Sequence, residues 1–181
     1  MMRERELSRG ATGARSAAGR VALYAVLLAL AFVLTYVEHL CPLPIVVPGV
    51  RLGLANLVVL AALQLLRLPE AFGIALARIA LSALLFGNLS GFFYALSGGL
   101  LSFAVMALLC RCTELPCVCV SAVGGLCHNL GQLACAVLVT GTPALIGYLP
   151  VLAPAGIVSG VLVGLAAQGV LPALRRIPYR L

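Results

Sequence analysis

The sequence predicts an all-α integral membrane protein, with six transmembrane helices in one small bundle and both termini cytoplasmic. Three observations carry that prediction. The first is composition. Of 181 residues, 63% are hydrophobic and only 9% charged, where a soluble domain carries roughly 25% charged residues. The second is segmentation: apolar runs alternate with short connections rich in Pro, Gly and Arg. The third is the placement of the 12 cationic residues, all of them arginine. Arg3, Arg5, Arg9, Arg15 and Arg20 precede the first apolar run, and Arg175, Arg176 and Arg180 follow the last. Arg67 and Arg111 fall in the second and fourth connections. With six crossings all of these share one side, and basic loop residues favour the cytoplasmic face.

The elements follow in order. Residues 1–19 are polar and rich in Arg, Gly, Ala and Ser, and read as a disordered basic cytoplasmic tail. The membrane domain covers residues 20–175, and residues 176–181 form a basic cytoplasmic end. A spanning helix needs about 20 apolar residues, somewhat fewer when flanking groups snorkel. Span 1 is placed at 21–37. The outer connection 38–50 holds Pro42, Pro44 and Pro48, which oppose regular helix. Span 2 is placed at 52–66, span 3 at 71–86, and Gly87-Asn88 marks a tight outer turn. Span 4 is placed at 89–109 and span 5 at 117–139, joined inside by 110–116. The outer loop 140–150 holds Gly141, Pro143 and Gly147. Span 6 is placed at 151–174, with Pro154 in its first turns.

Small residues mark where helices approach closely. Gly156, Gly160 and Gly164 recur at four-residue spacing on span 6. Ala25 and Ala29 do the same on span 1, with Ala18 and Ala22 one register earlier. Such stripes let backbones approach in lipid, and the bland reading is packing within the bundle.

Ionisable and strongly polar groups inside a membrane are costly and point to function. Glu38 ends span 1, Arg51 starts span 2, and Asn56 lies deeper on it. Asn88 sits at the outer end of span 3, and Tyr94 in the outer third of span 4. His128, Asn129 and Gln132 fall within one stretch of span 5, the first and last sharing a face. These positions predict a pocket in the outer half of the bundle. Arg51 and Arg78 lie apart from the cytoplasmic arginines. A guanidinium pairs bidentately with carboxylate or phosphate. Arg51 therefore reads as an anion contact or as the internal partner of Glu38. Arg78 reads as a snorkelling residue or as a ligand contact between helices. For His128, Asn129 and Gln132 the structural alternative is interhelical hydrogen bonding.

Cys110, Cys112, Cys117 and Cys119 form C-x-C-x4-C-x-C around the fourth connection. That spacing seats a metal or iron–sulfur centre in some proteins, while buried cysteine is also an ordinary small apolar residue. No aspartate occurs in the chain, so an enzyme gripping a diphosphate through paired aspartates and magnesium is excluded. No nucleic-acid partner is expected, because the arginines form no surface that tracks phosphates. Membrane lipid is the expected contact for the basic ends.

Several segments together resemble the Gx transporter family, also labelled heptaprenyl diphosphate synthase component I. They include Pro48 to Asn56 (PGVRLGLAN), Arg78 to Asn88 (RIALSALLFGN), Tyr94 to Ser102 (YALSGGLLS) and His128 to Gln132 (HNLGQ). That family is similar in turn to S components of energy-coupling-factor vitamin transporters. The resemblance implies a six-helix bundle in a prokaryotic inner membrane, with an outward-facing site and a mobile first loop. It further implies a docking face at Ala25 and Ala29 for a transmembrane coupling subunit with ATPases. The expected ligand is a vitamin-like or isoprenoid-precursor-like molecule held by Glu38, Arg51, Asn56, Arg78, Asn88, Tyr94, His128, Asn129 and Gln132. The alternatives are a quinone- or flavin-linked subunit of an extracytosolic electron-transfer chain, with a membrane redox partner, and a non-catalytic accessory subunit of isoprenoid synthesis. None makes this chain itself an enzyme of prenyl transfer.

Overall fold

A computed structural model describes residues 2–40, 55–86 and 89–175. Among the described residues six α-helices occur in order: α1 (Met2–Leu40), α2 (Asn56–Leu65), α3 (Leu68–Phe86), α4 (Leu89–Cys112), α5 (Cys117–Thr140) and α6 (Leu149–Arg175). A 3₁₀ segment, Pro143–Tyr148, joins α5 to α6. No strand occurs among the described residues. Among the described residues four helical stretches are long and apolar enough to cross a membrane: Gly19–Val37, Gly91–Cys112, Cys117–Thr140 and Pro143–Ala173. The chain is therefore a multi-pass membrane protein with an all-helical body.

Three element boundaries differ from expectation, each for a local reason. The helix of α1 continues back to Met2, through the tail read as disordered. That stretch holds no proline and is rich in good helix formers, Ala, Arg and Glu. The start of α3 falls at Leu68 rather than 71. The Glu70 carboxylate accepts a hydrogen bond from the Arg67 backbone N–H at 3.1 Å. It closes the first turn in the manner of a capping box, and the intervening Pro69 is tolerated there. The third difference is α2, whose 10 residues rise only about 15 Å, half the roughly 30 Å hydrocarbon thickness. Span 2 was expected at 52–66; residues 52–54 lie outside the described residues, as does the proline-rich connection 41–54.

At the other boundaries the local chemistry is plain. Gly141, at φ 63°, closes α5 in the left-handed conformation, which costs glycine nothing. Pro116 caps the start of α5, where its missing N–H is not needed.

Although short, α2 is the centre of the bundle. It packs against α1, α3, α4, α5 and α6. Val58, Leu60 and Ala62 are fully enclosed. Around it lie Leu23, Leu27 and Ala31 of α1, Ile74 and Ala75 of α3, Phe103 and Met106 of α4, and Ala167 and Leu171 of α6. The closest crossing is between α5 and α6. The α-carbons of Gly125 and Gly156 face each other's backbone, and a Cβ on Gly156 would lie 2.7 Å from the Gly125 carbonyl oxygen. Gly160 meets Ser121 and Ala122, and Gly164 meets Val118. The three-glycine stripe of α6 is thus spent on contact with α5 along an antiparallel path.

Candidate functional site

Several of the polar residues singled out in the sequence come together inside the bundle. Asn56 and Arg78 lie eleven residues on either side of Arg67, the residue before α3. They therefore share one level of the antiparallel pair, about 16 Å from the connection at helical rise. Because α3 starts early, Arg78 has ten residues before it and eight after it. It is a mid-helix residue. Its Nη2 donates to Asn56 Oδ1 at 3.4 Å. Asn56 is 8% exposed. Arginine is donor-only, so this contact orients the amide and leaves Asn56 Nδ2 as its remaining donor.

Two consecutive glycines of α4 let the neighbouring helices bring polar groups close. A Cβ on Gly99 would meet Ile79 Cδ1 at 2.6 Å and lie 3.9 Å from Arg78 Nη2. A Cβ on Gly98 would lie 2.6 Å from the His128 carbonyl oxygen and 3.2 Å from His128 Nδ1. Arg78 on α3 and His128 on α5 thus flank the same turn of α4. His128 and Asn129 occupy the middle of α5, eleven and twelve residues after Cys117.

The three polar residues of α5 divide their work. Gln132 Nε2 lies 2.9 Å from His128 Nε2. Asn129 turns the other way and donates from Nδ2 to the Leu152 carbonyl of α6 at 2.9 Å. That is the interhelical hydrogen bond of the structural alternative. Tyr94 is half-buried one turn before Ser97, whose hydroxyl donates to the Gly131 carbonyl at 2.9 Å. Arg51 and Asn88 lie outside the described residues, as does the side chain of Glu38.

Other interior groups carried no signal in sequence. A small cavity between α2, α4, α5 and α6 is lined by Asn56, Met106, Ser121, Gly125, Ser159, Gly160 and Val163. It has room for about one water. Ser121 and Ser159 are 3% and 7% exposed. Serine is common in membrane helices, so only their convergence on Asn56 distinguishes them. Ser102 is fully buried, and its hydroxyl has no hydrogen-bond partner among the described residues.

The cysteines do not converge. Among the described residues no three His, Cys, Asp or Glu side chains gather as a metal site requires. Cys110 and Cys117 pack against the core, while Cys112 and Cys119 are exposed. Residues two apart on a helix point to nearly opposite sides, so each C-x-C presents one thiol inward and one outward. On α1 the buried positions Leu23, Leu27, Ala31 and Thr35 form one stripe. Ala22, Ala25 and Ala29 are exposed on the other face.

No curated protein and no solved structure is similar enough to this chain to count as a match. The family model described as heptaprenyl diphosphate synthase component I matches residues 27–170. That stretch runs from mid-α1 to late α6 and takes in Asn56, Arg78 and the α5 polar residues. On that match, the chain belongs to the heptaprenyl diphosphate synthase component I family.

Proposed function

We propose that this chain is the substrate-binding membrane component of a small-molecule uptake system, built like an S component and dependent on partner subunits for energy. What supports the reading is two polar contacts inside the bundle, Arg78 with Asn56 and Gln132 with His128, on α3 and α5 flanking the same turn of α4; in this reading they form a mid-depth polar layer. A guanidinium at the middle of a membrane helix is costly and marks ligand pathways more often than packing. In this reading the chain crosses six times, with both termini in the cytoplasm of a prokaryotic inner membrane. Glu38, Arg51 and Asn88 form the outer entrance, and Tyr94 lines the way to the layer. Asn129 holds α6 in place beside it. The exposed face of Ala22, Ala25 and Ala29 supports docking of a transmembrane coupling subunit, itself driven by ATPases.

The family description favours a second reading, in which the same layer holds an isoprenoid precursor for a synthase partner without transporting it. Both readings make the chain a ligand-holding component that is not itself a catalyst. Gentle purification followed by mass spectrometry and an absorption spectrum tests them. A bound vitamin with co-purifying ATPases supports uptake, and a bound prenyl diphosphate with a synthase subunit supports the second reading. A bound quinone or flavin with its absorption bands would overturn both in favour of electron transfer.

A further inference from the structure

The small cavity between α2, α4, α5 and α6 is used by neither reading, and its lining has chemical content of its own. All seven residues that line it are buried, so it lies inside the bundle. Met106 and Val163 give it apolar walls, and Gly125 and Gly160 contribute no side chain to fill it. Its polar share comes from three helices: Asn56 of α2, Ser121 of α5 and Ser159 of α6. Two of these have their roles fixed by bonds already made. Arg78 Nη2 donates to Asn56 Oδ1 at 3.4 Å, which leaves the amide nitrogen of Asn56 as a donor. The Ser159 hydroxyl donates to the Gly156 carbonyl at 3.0 Å, which leaves its oxygen as an acceptor. The Ser121 hydroxyl can serve as either. A buried amide N–H without a partner is costly, and hydrocarbon around the bundle supplies none.

We propose that this cavity binds one ordered water, which accepts from Asn56 Nδ2, donates to Ser159 Oγ and takes Ser121 Oγ as its third partner. The size agrees, since there is room for about one water. The partner number agrees as well, since buried waters make about three hydrogen bonds. The chemistry separates water from an ion. A metal cation would face the N–H groups of Asn56, with the Arg78 charge just beyond and no carboxylate in the lining. A halide would suit Asn56 Nδ2 but would meet the lone pairs of Ser159. Water both donates and accepts, and so suits both. Bound there, it completes a polar chain from Arg78 through Asn56 to Ser121 and Ser159, and ties α3 and α2 to α5 and α6. It holds the Asn56 amide with its oxygen toward Arg78, whichever ligand the bundle takes.

The test uses the full chain in detergent micelles, a short X-ray pulse and peptide mass spectrometry. The pulse makes hydroxyl radicals from bulk and bound water alike. Met106 lines the cavity and is 1% exposed, and a thioether is readily oxidised to sulfoxide. It is the only methionine of the tryptic peptide 79–111. The exposed Tyr148 reports radicals from bulk water. Expected is sulfoxide at Met106 that persists when a scavenger in the buffer suppresses oxidation of Tyr148. The Ser121→Ala, Ser159→Ala double variant should lose that oxidation, because a cavity without polar partners stays dry. Melting curves identify a double variant that fails to fold, and the wild-type scavenger comparison then decides alone. Unmodified Met106 in the wild type, or oxidation that falls together with that of Tyr148, overturns the proposal. Oxidation retained in a folded double variant overturns it as well. Oxidation that appears only when sodium or chloride is withdrawn from the buffer gives the cavity to an ion, and the proposal fails.

Discussion

The Arg78 guanidinium reaches Asn56 Oδ1 across 3.4 Å, joining α3 to the first residue of α2. The shortest α-helix among the described residues is thereby tied to α3 by a charged side chain. Arg78→Ala and Asn56→Ala should therefore be non-additive in stability. Interhelical hydrogen bonds in membranes average about 0.6 kcal/mol and reach roughly 1.7. A coupling energy of about 0.5–1.5 kcal/mol is expected from a double-mutant cycle by thermal or denaturant unfolding. Strict additivity would mean that the contact contributes nothing.

Ligand affinity should separate the polar residues by what they now do. His128→Ala and Arg78→Ala are expected to weaken binding of the co-purified ligand about 10- to 150-fold, the range of a lost charge-assisted hydrogen bond. Asn129→Ala should instead lower the melting temperature, because its amide serves the Leu152 carbonyl. Binding isotherms and melting curves on the same preparations check this. Equal affinity in all three variants would remove the site from the mid-depth layer.

The α5–α6 crossing should tolerate no side chain at its centre. Gly125→Leu would drive Cβ into the Gly156 carbonyl, so it should abolish folding or cost several kcal/mol, at or above the roughly 1–3 kcal/mol of ordinary overpacking. Gly169→Ala, which has nothing within 4 Å of a new Cβ, should be neutral or slightly stabilising, since alanine is the better helix former by about 1 kcal/mol. Yield and melting temperature of the two variants provide the comparison.

Replacing Ala25 and Ala29 together by leucine should leave stability within about 0.5 kcal/mol, as for other surface substitutions, because both positions are exposed. Under the uptake reading the same double variant should lose co-purification with the coupling subunit while retaining ligand. Undiminished co-purification would take the docking role away from this face.

Six crossings with cytoplasmic termini predict that a cysteine placed at position 12 in a cysteine-free background is labelled only after the membrane is permeabilised. Labelling of intact cells by an impermeant maleimide would invert the orientation.

Much of the fold was legible in the sequence because lipid imposes simple rules. Apolar length marked α4, α5 and α6 closely, since backbone polar groups in lipid must be satisfied within a helix. Proline and glycine marked the α5 start at Pro116 and its end at Gly141. The spacing of Gly156, Gly160 and Gly164 announced a close crossing. The sequence could not say that α5 was the partner, because a stripe states only how near a neighbour can come.

By itself the sequence determined that this chain is helical, membrane-embedded and a member of its family. Which polar groups meet was decided by the tertiary structure. Asn56 and Arg78 are 22 residues apart in the chain and meet only because α2 and α3 are antiparallel about Arg67. His128 and Asn129 are adjacent in sequence yet face different helices, as neighbours 100° apart on a helix must. The sorting of Cys110 and Cys117 inward and of Cys112 and Cys119 outward was likewise decided by which helix face the core covers. Hydropathy is a property of each residue alone, whereas a site is a property of which faces meet.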